Sequence, residues 1–132
     1  MKLLTIDTDQ GDHPGIIVGD NKVLDLTKAP NSVFNDSWRP TSIREILELG
    51  DSALEQIRRI ADTVEANMDA AGAALTPLSE TSLSPPVPDP WVIFSVGMNY
   101  GRHLAEMGNT PPPPHPAGFI KTRDSLLGSG KA

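Results

Sequence analysis

The apolar positions change period along the chain, and the changes mark its elements. "MKLLTIDTD" has a short apolar centre at Leu3, Leu4 and Ile6 and reads as a first strand. Two β-prone segments follow, Gly15 to Val18 and Lys22 to Leu26, separated by Gly19-Asp20-Asn21. Those three residues tolerate positive φ, so the pattern predicts a hairpin. Residues 27–40 are rich in Pro, Asn, Asp and Ser and read as a loop.

The period then becomes helical. Ser42-x-x-Glu45 is a capping box after Pro40, with Ile43, Ile46 and Leu47 on one face. Gly50 is placed to end this helix in left-handed geometry. Ser52-x-x-Glu55 opens a second helix, whose apolar positions are Leu54, Ile57, Ala61, Val64, Met68, Ala71 and Leu75. That spacing makes one continuous stripe. With two alanines in three heptads it is a weak coiled coil, and it predicts a helix laid on a small sheet. Five prolines lie within residues 76–90. They forbid a helix and an inner strand, so the stretch reads as a linker. Beyond it, "WVIFSV" is a buried-type strand, "NYGRHLAEMG" a short helix ending at Gly108 and capped by Asn99, and "NTPPPPHPAG" an extended connector. "FIKT" reads as a strand, and the rest as a loop.

The expected organisation is therefore an α+β unit over residues 1–75, a linker over 76–90, and a second unit over 91–132. The last is too short to bury a core by itself, and it reads as the opening of a larger domain.

Composition narrows the function. The chain has 132 residues, no cysteine and a net charge of -6. Thiolate chemistry and disulfides are excluded, and the charge argues against a nucleic-acid partner. No apolar run approaches the length of a membrane span, and the N-terminus lacks a signal or transit pattern. A cytoplasmic protein is the expectation. Residues 1–90 hold 7 Lys/Arg against 15 Asp/Glu, and residues 91–132 hold 4 against 2. An anionic small molecule sits more comfortably on the second part.

The candidate chemistry lies there too. His103 and Glu106 stand at i and i+3, so on a helix they share a face. A carboxylate that accepts from one imidazole nitrogen fixes the tautomer and leaves the other nitrogen to take a proton. On spacing alone, a surface helical pair is the better account of the motif, since H-x-x-E by itself is common. Lys121, in a β-prone run after Phe119, can stabilise an enolate or carboxylate, or stand outward in water. Arg123 and Asp124 read as a surface pair. His13 and His115, each beside a proline, read as exposed loop residues. Past residue 90 the only side-chain carboxylates are Glu106 and Asp124, too few for a Mg²⁺ or Mn²⁺ site.

One set of residues, taken in order, resembles a known family. Gly97, Asn99, Tyr100, His103 and Glu106, then Phe119 and Lys121, then Ser125, Leu126 and Gly128 are similar to the pattern of the fumarylacetoacetate hydrolase family. Its members show G-x-N-Y-x-x-H-x-x-E, a proline-containing segment, F-x-K and a Ser-Leu-x-Gly loop. The resemblance implies a metal-dependent hydrolase, isomerase or decarboxylase of 2-oxo acids or β-dicarbonyl compounds. It implies that His103 and Glu106 form the dyad that activates water, on a lid-like helix, and that Lys121 contributes to the closed site. Tyr100 and Phe119 are the expected substrate contacts. A proline often follows the lysine in the family, where this chain has Thr122.

The family's Mg²⁺ or Mn²⁺ carboxylates belong to a downstream β-roll. The expectation is therefore an N-terminal domain plus the opening strand and lid helix of a truncated β-roll, holding the dyad, with no metal ligands in this chain and no activity alone. A homodimer or a complementing β-roll chain would be its partner. The alternatives are a non-catalytic dimerisation or regulatory module, or one half of a split enzyme.

Overall fold

The computed structural model describes residues 1–34 and 37–131. The chain divides into two compact units, one formed by Met1–Asp89 with residues 126–131 and one by Pro90–Ser125.

The first unit is built on five antiparallel strands: β1 (Lys2–Thr8), β2 (Gly11–Val18), β3 (Lys22–Asp25), β4 (Leu75–Pro77) and β5 (Leu83–Ser84), in the order β4-β3-β2-β1-β5. The hairpin expected at Gly19-Asp20-Asn21 is present, with Val18 opposite Lys22 and Gly19 at φ 59°. Two helices, α1 (Ile43–Leu49) and α2 (Asp51–Ala66), cover one face of the sheet. Because side chains alternate along a strand, Ile16, Val18 and Leu24 point to that face and meet Ile46, Ile57 and Val64; all six are fully buried. Each such side chain is worth about 1.5–3 kcal/mol of transfer free energy. The opposite face carries a smaller cluster of Leu4, Ile6 and Val23. Gly15 gives that cluster room: an added Cβ would lie 2.9 Å from the terminal methyls of both Leu4 and Ile6, which would have to shift.

Several expectations need correction. The stripe from Leu54 to Leu75 is not one helix. α2 ends at Ala66, a 3-10 segment with a non-helical Gly72 covers Met68–Ala74, and Leu75 begins β4. The stripe still turns inward at Ile57, Ala61, Val64 and Ala71, since each piece lies on the same core. Gly50 takes φ 70° with ψ -144° rather than left-handed helical geometry, and it joins α1 to α2 directly. It is also the cap of α2, so Ser52 does not cap that helix; its hydroxyl donates to the Leu49 carbonyl at 3.4 Å. Leu47 is half exposed.

The proline-rich stretch 76–90 is not a free linker. Parts of it pair as β4 and β5 at the two edges of the sheet, where missing N–H groups cost least. Pro86 accepts from the buried Thr5 hydroxyl at 2.7 Å, and Asp89 holds Arg44 at 2.6 Å. His13 is a strand residue of β2, not a loop residue. Its Nδ1 lies 2.9 Å from Oδ2 of the buried Asp25, whose other oxygen accepts from the Thr27 and Lys28 amides.

The second unit is small. β6 (Ile93–Gly97) pairs antiparallel with β7 (Ala117–Lys121), and α3 (Gly101–Glu106) lies between them in sequence. Leu104 is its one buried apolar side chain among the described residues. The buried-type strand 91–96 is exposed instead: Phe94 and Val96 are 65% and 52% accessible. β6 has one neighbouring strand, and nothing among the described residues of this unit covers the Phe94 face.

Candidate functional site

β6 runs into α3 through Met98, Asn99 and Tyr100. Met98 has φ 51°, a conformation non-glycine residues adopt at some cost, and such positions cluster at functional turns. The cap of α3 is Tyr100, not Asn99, and no side chain caps this end. The helix stops as Gly108 takes φ 80°; the Gly108 and Asn109 amides return to the Ala105 carbonyl and Thr110 to Leu104. That closure follows from the glycine.

α3 carries His103 and Glu106, both exposed. The structure puts them on one helix but does not bond them to each other. Glu106 instead pairs with Arg102, whose Nε lies 3.3 Å from Oε1. Among the described residues His103 has no side-chain hydrogen bond or ion partner. Arg102 was not singled out from the sequence, although its i, i+4 spacing to Glu106 is a readable signal.

β7 positions the other candidates by register. Phe119 lies opposite Ser95 and Lys121 opposite Ile93, so both point to one face of the hairpin, with Gly97. An added Cβ at Gly97 would sit 3.8 Å from the Phe119 ring, so the bare backbone there leaves the ring room. Lys121 Nζ is 5.8 Å from the Phe119 ring centroid, within cation–π range. Phe94, Val96 and Ile120 take the opposite face, where the Phe94 ring lies directly over Gly118. Tyr100 is 71% exposed at the mouth of α3. A groove of about 610 Å³ beside α3 is lined by Asn99, Leu104, Thr110 and His115 among others. Tyr100, His103, Glu106, Phe119 and Lys121 are not in its lining.

Among the described residues no three His, Asp or Glu side chains converge as a metal site would require. With no such cluster among the described residues, the donor set here does not fit a divalent cation. No helix among the described residues is long and apolar enough to cross a membrane.

No family model matches the chain. Curated relatives do. Oxaloacetate tautomerase YisK of Bacillus subtilis is 34% identical over 118 residues, 88% of this chain and 39% of that protein. The mitochondrial oxaloacetate tautomerase fahd2 of Xenopus laevis is 36% identical over 131 residues, 97% of this chain and 37% of that protein. Human mitochondrial oxaloacetate tautomerase FAHD2A is 33% identical over 93 residues, 70% of this chain and 27% of that protein. A match taking in 97% of the chain spans the segment from Gly97 to Lys121. The chain is thus a homologue of proteins named oxaloacetate tautomerase, and it spans 39% or less of the length of these relatives.

Proposed function

We propose that this chain is the amino-terminal part of a fumarylacetoacetate hydrolase-type enzyme, and that its activity is the keto–enol tautomerisation of a 2-oxo acid such as oxaloacetate. The observation that carries the reading is His103-x-x-Glu106 on the helix after Gly97-x-Asn99-Tyr100, inside a span similar to the tautomerases.

His103 is the proton carrier. Its imidazole takes a proton from the carbon next to the keto group, and the C–H electron pair moves into the C2–C3 bond. The carbonyl π pair moves onto oxygen, giving an enolate. Protonation of that oxygen completes the enol, and the reverse sequence gives the keto form. Glu106, by accepting from the other ring nitrogen, holds the tautomer that leaves one nitrogen basic. Lys121, on one face of β7 with Phe119, supplies positive charge to the enolate oxygen. Tyr100 and Phe119 offer aromatic surface to the substrate's carbon skeleton. The family resemblance implies Mg²⁺ or Mn²⁺, which would chelate the oxo and carboxylate oxygens; the described residues of this chain do not supply its ligands. A water-activating role for the same dyad, as in the family's hydrolases, uses the same basic nitrogen.

The test is a chimera: this chain joined to the part of the Bacillus tautomerase that lies beyond the matched span. Mg²⁺-dependent loss of the enol absorbance of oxaloacetate is expected from the chimera and not from either part alone. A folded chimera with no such activity would count for the competing reading, a non-catalytic module built on the first unit's own core.

A further inference from the structure

We propose that Arg102 is a positioning residue that governs whether Glu106 is available to His103. The proposal rests on the proton-transfer reading of the pair and concerns the state of that pair before substrate arrives.

Three residues of one short helix share two possible contacts. Glu106 lies three positions after His103 and four after Arg102, and both spacings bring side chains together on a helix. A carboxylate oxygen bonded to a guanidinium at 3.3 Å is drawn away from the imidazole, and that is the arrangement seen. The pair is built to be exchanged. Arg102 and Glu106 side chains are 91% and 62% exposed, so water competes for both. The order is also the less favourable one, with the cation nearer the helix start than the anion. No other carboxylate is paired with Arg102 among the described residues, and His103 keeps both ring nitrogens free. The helix thus holds the dyad in a disengaged state through a weak contact, and removal of that contact lets Glu106 turn to His103. Arg102 acts through Glu106.

The test reads the imidazole itself, in the full chain and without turnover. Ring nitrogens of His103 are observed by ¹⁵N NMR at a pH where the imidazole is neutral. In the parent they should report a mixture of tautomers. In Arg102→Ala, which also favours the helix, the two resonances should move apart as Glu106 fixes one tautomer. Adding Glu106→Gln should return them to the parent pattern, and Arg102→Lys should resemble the parent. Backbone amide shifts over 101–106 monitor the helix, with Arg102→Gln as a second variant. Ring resonances that do not respond to loss of Arg102, or that respond equally with Glu106→Gln present, would overturn the proposal. Neither result depends on whether the chimera is active.

Discussion

Gly128 lies against the Leu83 carbonyl so closely that a Cβ built on it would be 1.9 Å from that oxygen. The residues after β7 therefore do not trail away. They fold back on the β5 edge of the first unit, and the Lys131 ammonium pairs with Asp7 on β1. A bare sheet edge invites pairing with other chains, and a crossing segment covers it.

Gly128→Ala should undock this segment, because the clash is with backbone and no rotamer relieves it. Faster amide exchange at residues 82–84 is expected, with α2 unchanged, and a stability loss of about 1 kcal/mol in urea unfolding. Unchanged exchange at the β5 edge would show that the contact does not hold in solution.

The Asp7–Lys131 contact should respond to pH with a definite sign. A hydrogen bond and the charge of Lys131, with a lesser contribution from Ser82, hold the Asp7 carboxyl below its ordinary value. A depressed carboxyl favours the docked state above the usual carboxylate range. That contribution is lost as pH falls through the lowered value. Tail resonances should move to free-peptide positions over that acid interval, and earlier in high salt. Asp7→Asn should remove the interval.

At α1, the Ser42 hydroxyl accepts from the Glu45 amide at 3.0 Å. The Glu45 carboxylate accepts from the Thr41 amide and hydroxyl at 2.7 and 2.6 Å and from the Trp38 indole at 3.0 Å. The bonds from Thr41 come first in holding Glu45 below its usual range. Ser42→Ala should cost about 1 kcal/mol in urea unfolding. As pH falls from the ordinary glutamate range through the lowered value, the same helix start should loosen, and Glu45→Gln should abolish that dependence.

Asp25→Ala should be the costliest of these changes. It leaves His13 and the Thr27 and Lys28 amides without their acceptor in a nearly closed setting. A loss of about 3 kcal/mol is expected. Urea unfolding within a few tenths of the parent would show that the cluster is already wet.

What was readable from sequence follows the range of the forces involved. Ser42-x-x-Glu45, the Gly19 hairpin and β7 depend on residues a few positions apart, and all three are present. The break at Asn67 was not readable, because the same apolar stripe serves a helix and a 3-10 segment lying on one core. β4 and β5 were missed because proline suppresses a strand signal, although edge strands tolerate it. His13 looked like a loop residue, and only its distant partner Asp25 shows otherwise. In the candidate site, the residues that carry the family resemblance lie at short, fixed spacings and are legible for that reason. The Arg102 contact was not, since i, i+3 and i, i+4 partners compete and spacing alone does not choose between them.

The most direct test of the account is turnover by the chimera carrying His103→Ala or Glu106→Gln, measured as Mg²⁺-dependent enol-to-keto conversion of oxaloacetate. Loss of the base should lower kcat by roughly 100-fold or more, with the glutamate variant less severe. Rates equal to those of the parent chimera in both variants would contradict the central claim that this pair moves the proton.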